Sequence, residues 1–123
     1  VPDASVPHPR NYGTLPRKIG HYAQREKVVT LEHAIRSSTG LPADIFGFRD
    51  RGYLRAGYMA DVVVWDPETL LDTATFANPH AYSAGIEHVF ISGEQALFRG
   101  KATGALAGRA LRHSETSSDF DRR

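Results

Sequence analysis

The run HPRNYGTLPRKIGHY (residues 8–22) gathers two Pro-Arg pairs, two histidines, two tyrosines and two glycines into fifteen residues. Arg10, held between Pro9 and Asn11, has reduced freedom, and its planar fork matches a carboxylate through paired hydrogen bonds. Arg10 is therefore a candidate anion-reading residue, and Arg17, next to Pro16, is a weaker one. The alternative is that both arginines pair with structural acids. His8 taken alone reads as an exposed or hydrogen-bonded loop histidine. Tyr12 and His21 are pocket-lining or simply packed side chains. The run has neither helical nor strand periodicity, so it reads as a loop, and a long loop tethered by prolines usually binds something.

No catalytic engine accompanies that loop. His33 sits on a predicted helix as a surface residue, His80 and His88 are far apart, and His113 lies in the tail. Without cysteine, and without an HExxH pair or closely spaced histidines, no protein-built metal centre is predicted. Asp44, Asp50, Asp61 and Asp66 all fall near corners or strand ends. Asp50, between Arg49 and Arg51, reads as a turn salt bridge, and Asp61 as a cap at a strand start. Asp3 is the acid of the entry loop, and nothing beside it suggests a catalytic base. The glycine patterns GYLRAG and GALAG lack the strand-before, helix-after context of a nucleotide loop.

The elements that must hold Arg10 in place follow from periodicity and punctuation. Residues 1–20 read as loop, with a short helical stretch possible over 16–25. Thr30 is a predicted N-cap for a helix with Leu31, Ala34 and Ile35 on one face and Glu32 in the first turn. Gly40 is expected to stop that helix; Leu41-Pro42 opens a second, ended by Gly47. Residues 60–65 (ADVVVW) form a β-branched run that predicts a buried strand. Residues 66–85 are mostly irregular. Strands are predicted over 86–92 and 95–99, joined by a hairpin at Ser92-Gly93-Glu94, with both sheet faces covered. The tail after His113 is polar and predicted disordered. Three strands make an undersized sheet whose edges want partners. Together with a motif that begins seven residues into the chain, this predicts missing material.

The 123-residue chain, of 13.6 kDa, suits one modest core, with 41% hydrophobic and 24% charged residues. Fifteen basic against fourteen acidic residues give a net charge of +1. That balance argues against a nucleic-acid or polybasic membrane partner. No apolar run approaches a transmembrane length. The first residues, VPDASVPHPR, carry no signal-peptide pattern. The absence of cysteine fits a cytoplasmic location.

Three segments together carry a family resemblance: HPRNYGTLPRKIGHY, LEHAIRSSTGLPADIFGFRDRGYLRAGYMADVVVWDPETLLDTATF, and NPHAYSAGIEHVFISGEQALFRGKATGALAGRALR. Over residues 8–112 the chain resembles the C-terminal region of the N-acyl-D-amino-acid deacylases (D-aminoacylases) of the amidohydrolase superfamily. GYMADVVVWD alone is superfamily-wide; HPRNYGT and TFANPHAYSAGIEHV narrow the resemblance to this branch.

The resemblance implies a mixed α and β fold: the last loop and helices of a (β/α)8 barrel (1–47), the C-terminal share of a small β-sandwich (48–112), and a disordered tail (113–123). Such a fold is incomplete as a lone chain, and its partner is the missing N-terminal part of the same enzyme. The family's metal ligands come from earlier strands, so zinc is implied for the parent enzyme and none for this chain. Its catalytic aspartate sits in a Ser-Asp-Gly stretch that is absent here; Asp3, in the context PDA, does not match. In the parent, zinc would polarise the amide carbonyl and activate water, with the aspartate moving the proton. The residue carried over is Arg10, which would hold the α-carboxylate of a small-molecule N-acyl-D-amino acid. His8 would support it, and Tyr12 and Arg17 would stand behind them. On this reading the isolated chain is inactive. Two alternatives remain: a catalytically inert structural domain or fragment, and part of another amidohydrolase such as a dihydroorotase or hydantoinase relative.

Overall fold

The computed structural model describes residues 6–111; Asp3, His113 and the predicted disordered tail lie outside them. Helices come first and a sheet second. Helix α1 (Arg10–Pro16) runs directly into a π-helix (Arg17–Arg25), and two short helices follow, α2 (Leu31–Arg36) and α3 (Gly40–Phe46). Strands β1 (Val62–Trp65), β2 (Ile86–Ile91), β3 (Glu94–Phe98) and β4 (Lys101–Ala102) form an antiparallel sheet in the order β1-β2-β3-β4.

The short helical stretch predicted over 16–25 is present as the π-helix, but the loop predicted over residues 1–20 is a correction from Arg10 onward: Arg10–Pro16 is helical. Its composition hides the helix because Gly13, Thr14 and Pro16 are poor formers, and tertiary contacts supply what propensity lacks. Pro16 cannot donate to the carbonyl of Tyr12 four residues earlier. The Ser83 hydroxyl donates to that carbonyl instead, at 3.2 Å. Beyond Pro16 the turns widen, as in the Glu26 N–H bond to the His21 carbonyl at 2.9 Å.

Thr30 caps α2 as predicted, its side chain accepting from the His33 N–H at 3.2 Å. The helix ends at Arg36, before Gly40, which is a second correction. Ser37, Ser38 and Thr39 turn their hydroxyls back onto the carbonyls of His33, Ala34 and Ile35 and close the last turn themselves. Gly40 instead opens α3, where a Cβ would come within 2.6 Å of the Tyr53 ring. Gly47 ends α3 in the left-handed region at φ 71°.

The hairpin between β2 and β3 turns at Ser92 and Gly93, both at positive φ, the backbone that matches strand twist. Arg99-Gly100 repeats that geometry and adds β4, a strand the sequence reading left out. Asp61 does cap a chain end, though it is the neighbouring turn's: its Oδ1 accepts from the Ser92 N–H at 2.8 Å, and its Oδ2 pairs with Arg51. β1 is a third correction. It is not a buried strand, since Val63 is 48% and Val64 43% exposed. On β2 the predicted cover is partial, with His88 to Ile91 half-buried on both faces.

The buried apolar residues are small: Ala23, Ala34, Ala43 and Ala74, with Leu70 as the one large member among the described residues. Leu70 and Ala74 lie on the excursion that links β1 to β2, which meets the π-helix where Gly20 lies against Leu70. Arg25 fastens that contact by donating to the carbonyls of Leu70, at 2.8 Å, and Glu68, at 3.0 Å. No helix among the described residues is long and apolar enough to cross a membrane.

Candidate functional site

The excursion between β1 and β2 folds into a strap over residues 71–84. Its base is a bridge between Leu71 and Ala84, and the Thr73 hydroxyl donates to the Tyr82 carbonyl at 2.7 Å. At its tip the Asn78 N–H donates to the Thr75 hydroxyl at 3.0 Å, which presents Phe76 to solvent. The strap lies along α1. At Gly13 the two pack tightly: a Cβ there would approach the Asp72 Cβ to 2.7 Å. Only a residue without a side chain lets the helix sit this low.

Between strap and helix lies a cleft of about 630 Å³, lined by His8, Arg10, Arg17 and Lys18 on one side and by Asp72, Ala74 and Phe76 on the other. His8 stands just before α1. Its Nδ1 accepts from the Arg10 N–H at 3.1 Å, and its ring meets Phe76 edge-on at 5.0 Å. The accepting role places the ring proton on Nε2 in the neutral imidazole. His8 thus caps the helix that begins at Arg10 and ties it to the strap tip.

The two arginines of the motif differ in their partners. Arg17 donates to Asp72 Oδ2 at 3.1 Å and to the Tyr22 hydroxyl at 3.4 Å. The Tyr22 bond and then the Asp72 carboxylate raise its pKa above the ordinary arginine value. Arg10 is exposed, and among the described residues no carboxylate pairs with its guanidinium. A cleft in which one arginine is paired and the other meets no carboxylate among the described residues can bind an anion through the second.

Tyr12 faces elsewhere. Its hydroxyl is 2.9 Å from His80 Nδ1, its ring meets Tyr82 at 5.5 Å, and it lines a separate cavity of about 660 Å³ with Ser83, Gly85 and Leu97. The structure does not bring it to the Arg10 cleft. His21 pairs with Glu26 at 3.0 Å, His88 contacts Gln95 at 3.0 Å, and His33 is exposed on α2. Sequence reasoning missed Asp72, Phe76, His80 and Ser83 as partners of the motif. The available signal was the density of aromatic and polar residues in a stretch without periodicity.

Among the described residues no group of three or more His, Asp or Glu side chains is placed to hold a metal ion. The histidines engage Phe76, Glu26, Tyr12 and Gln95 at separate places. These residues do not fit a zinc site.

The described residues thus form a mixed α/β chain with a cleft between strap and helix. Residues 3–96 match the amidohydrolase family (Amidohydro_3), and the chain belongs to it. It is 47% identical to a D-aminoacylase of Alcaligenes xylosoxydans xylosoxydans, across 90% of this chain and 23% of that protein. An N-acyl-D-glutamate deacylase of the same organism is 44% identical, across 91% of this chain and 23% of the relative. The chain thus spans about a quarter of the length of the curated relatives it matches. A solved D-aminoacylase structure superposes with a TM-score of 0.83 at 44% identity, covering 86% of this chain and 22% of the other. The N-acyl-D-glutamate deacylase of Bordetella bronchiseptica, solved with zinc and a phosphonate mimic of the tetrahedral intermediate, gives 0.72 at 44% identity, covering 74% and 19%. The mixed α/β fold is that of part of an amidohydrolase.

Proposed function

We propose that the chain is the C-terminal region of a zinc-dependent hydrolase that cleaves N-acyl-D-amino acids to a D-amino acid and a carboxylate. Residues 1–47 belong to the end of its (β/α)8 barrel and residues 48–112 to its β-sandwich. The metal ligands and the catalytic aspartate are contributed by the remainder of the enzyme, and this chain alone is inactive. Its own contribution is to bind and orient: Arg10 holds the α-carboxylate of the substrate in a forked, charge-assisted contact. His8 fixes the backbone from which Arg10 projects.

The observation that carries this reading is the contrast between Arg17, neutralised by Asp72, and Arg10, without a carboxylate partner among the described residues on the same cleft. Support also comes from three relatives of 42% to 47% identity, each a deacylase of N-acyl-D-amino acids or a D-aminoacylase. The test is hydrolysis of N-acetyl-D-amino acids, their L-enantiomers and cyclic ureides by the full-length enzyme and by its Arg10→Ala variant. The expected result is D-selective cleavage by the wild type, with KM raised by at least about tenfold in the variant, the scale of one lost charged hydrogen bond. Cleavage of the cyclic ureides alone, or an unchanged KM, would overturn the proposal.

A further inference from the structure

We infer that His80, acting through Tyr12, is a positioning residue that sets where the Arg10 guanidinium meets the substrate; this rests on the anchoring role proposed for Arg10. A helix of seven residues such as α1 has little stability of its own. Its placement is decided by what it lies on, and the strap is what it lies on.

The strap grips α1 and its continuation at both ends. At one end Asp72 holds Arg17 at 3.1 Å. At the other, His80 meets the Tyr12 hydroxyl at 2.9 Å, with the two rings edge-to-face at 5.7 Å, and Ser83 takes the Tyr12 carbonyl that Pro16 leaves without a donor. Tyr12 and Arg10 are two residues apart, about 3 Å along a helix axis. They line different cavities, so Tyr12 is free to be gripped while Arg10 is free to bind. Pro79, beside His80, is buried, and the Thr73–Tyr82 hydrogen bond closes the strap behind it, so the gripping side chain stands on a fixed backbone. With the Tyr12–His80 contact gone, α1 keeps Arg17–Asp72, the Ser83 hydrogen bond and the His8–Phe76 ring contact, but its first turn loses a side-chain tether and gains room to swing. The swing moves its first residue, Arg10, and a displacement of about 1 Å is enough to weaken a forked contact.

The experiment compares His80→Ala, His80→Asn and Tyr12→Phe in the full-length enzyme, each alone and with Arg10→Ala, reading KM, kcat and melting temperature. His80→Ala and Tyr12→Phe are expected to raise KM about three- to tenfold, the range of one neutral hydrogen bond, with kcat within about twofold. His80→Asn, which restores a polar atom near the Nδ1 position, is expected to recover most of the loss. In the Arg10→Ala background neither exchange should raise KM further, because the residue being positioned is gone. KM unchanged in Tyr12→Phe, or a full additional rise in the Arg10→Ala background, would overturn the inference while leaving Arg10 its role. An unchanged KM in Arg10→Ala alone would overturn that role, and the inference with it.

Discussion

Gly20 on the π-helix and Leu70 at the foot of the strap are in contact backbone to backbone: a Cβ on Gly20 would collide with the Leu70 carbonyl oxygen. The obstacle is main chain, and the same carbonyl is fixed by Arg25 at 2.8 Å, so it cannot yield cheaply. Gly20→Ala is expected to push the π-helix off the strap. The expected loss is about 2–3 kcal/mol, at the upper end for overpacking, read as a fall in the urea midpoint of the full-length protein. Because the strap also carries Asp72 and His80, KM should rise in the same variant.

Asp61 ties three segments together with one carboxylate. One oxygen accepts from the Ser92 N–H at 2.8 Å, and the other pairs with Arg51, whose side chain is only 11% exposed. Asp61→Ala leaves that arginine only its longer contact to Asp50, at 3.8 Å, and the hairpin turn without its acceptor. The expected cost is about 2 kcal/mol, reduced from the fully buried case because Asp61 itself is partly exposed. Asp61→Asn keeps the Ser92 contact and should recover about half. Urea unfolding of the three proteins gives the comparison, and equal losses in Ala and Asn would assign the whole effect to charge.

What was legible in the sequence was whatever is decided locally. Thr30 announced α2 because an N-cap needs only a hydroxyl three residues before its donor. Gly47 and Ser92-Gly93 announced their turns because positive φ is a local demand. The helix at Arg10–Pro16 was not legible, since its support is Ser83 and Asp72, some sixty to seventy residues away. The pairing of Tyr12 with His80 was hidden for the same reason. Arg10 could be picked out by its residue type and neighbours, but that no carboxylate among the described residues reaches it is a property of the folded cleft. β1 read as buried because three valines in a row cannot report which of their faces is covered.

Tyr53 gives the alkaline limb of stability a specific owner. Its hydroxyl donates to Asp44 Oδ2 at 2.6 Å. That hydrogen bond, then partial desolvation and the Asp44 charge, raise its pKa above the ordinary 10.0. A raised pKa means the folded state holds the proton more tightly than the unfolded chain. The contribution is therefore complete below the ordinary value and is lost as pH climbs through the raised one. Tyr53→Phe should be less stable than wild type by a constant amount at neutral pH, with the gap narrowing above pH 10.0. Urea midpoints of both proteins across that range provide the check; a gap that widened instead would contradict the assigned hydrogen bond.

Asp72 offers a prediction opposite in sign to that for Arg10. Among the described residues it is the carboxylate on the cleft, and it pairs with Arg17 while none of them pairs with Arg10. Asp72→Asn removes a negative charge from the cleft while keeping the shape that lies against Gly13 and an oxygen that can still accept from Arg17. Arg17 loses the Coulombic part of what raised its pKa but stays protonated, because the ordinary value is already far above neutrality. An anionic substrate then meets two arginines with no acid between them. KM is expected to fall by about two- to threefold at low ionic strength, an effect that salt removes because Arg17 is nearly half exposed. Steady-state kinetics of the full-length enzyme at low and high salt would read this directly. A KM that rose in Asp72→Asn at both salt concentrations would mean that Asp72 serves the site by holding Arg17 in place, with its charge playing no separate part.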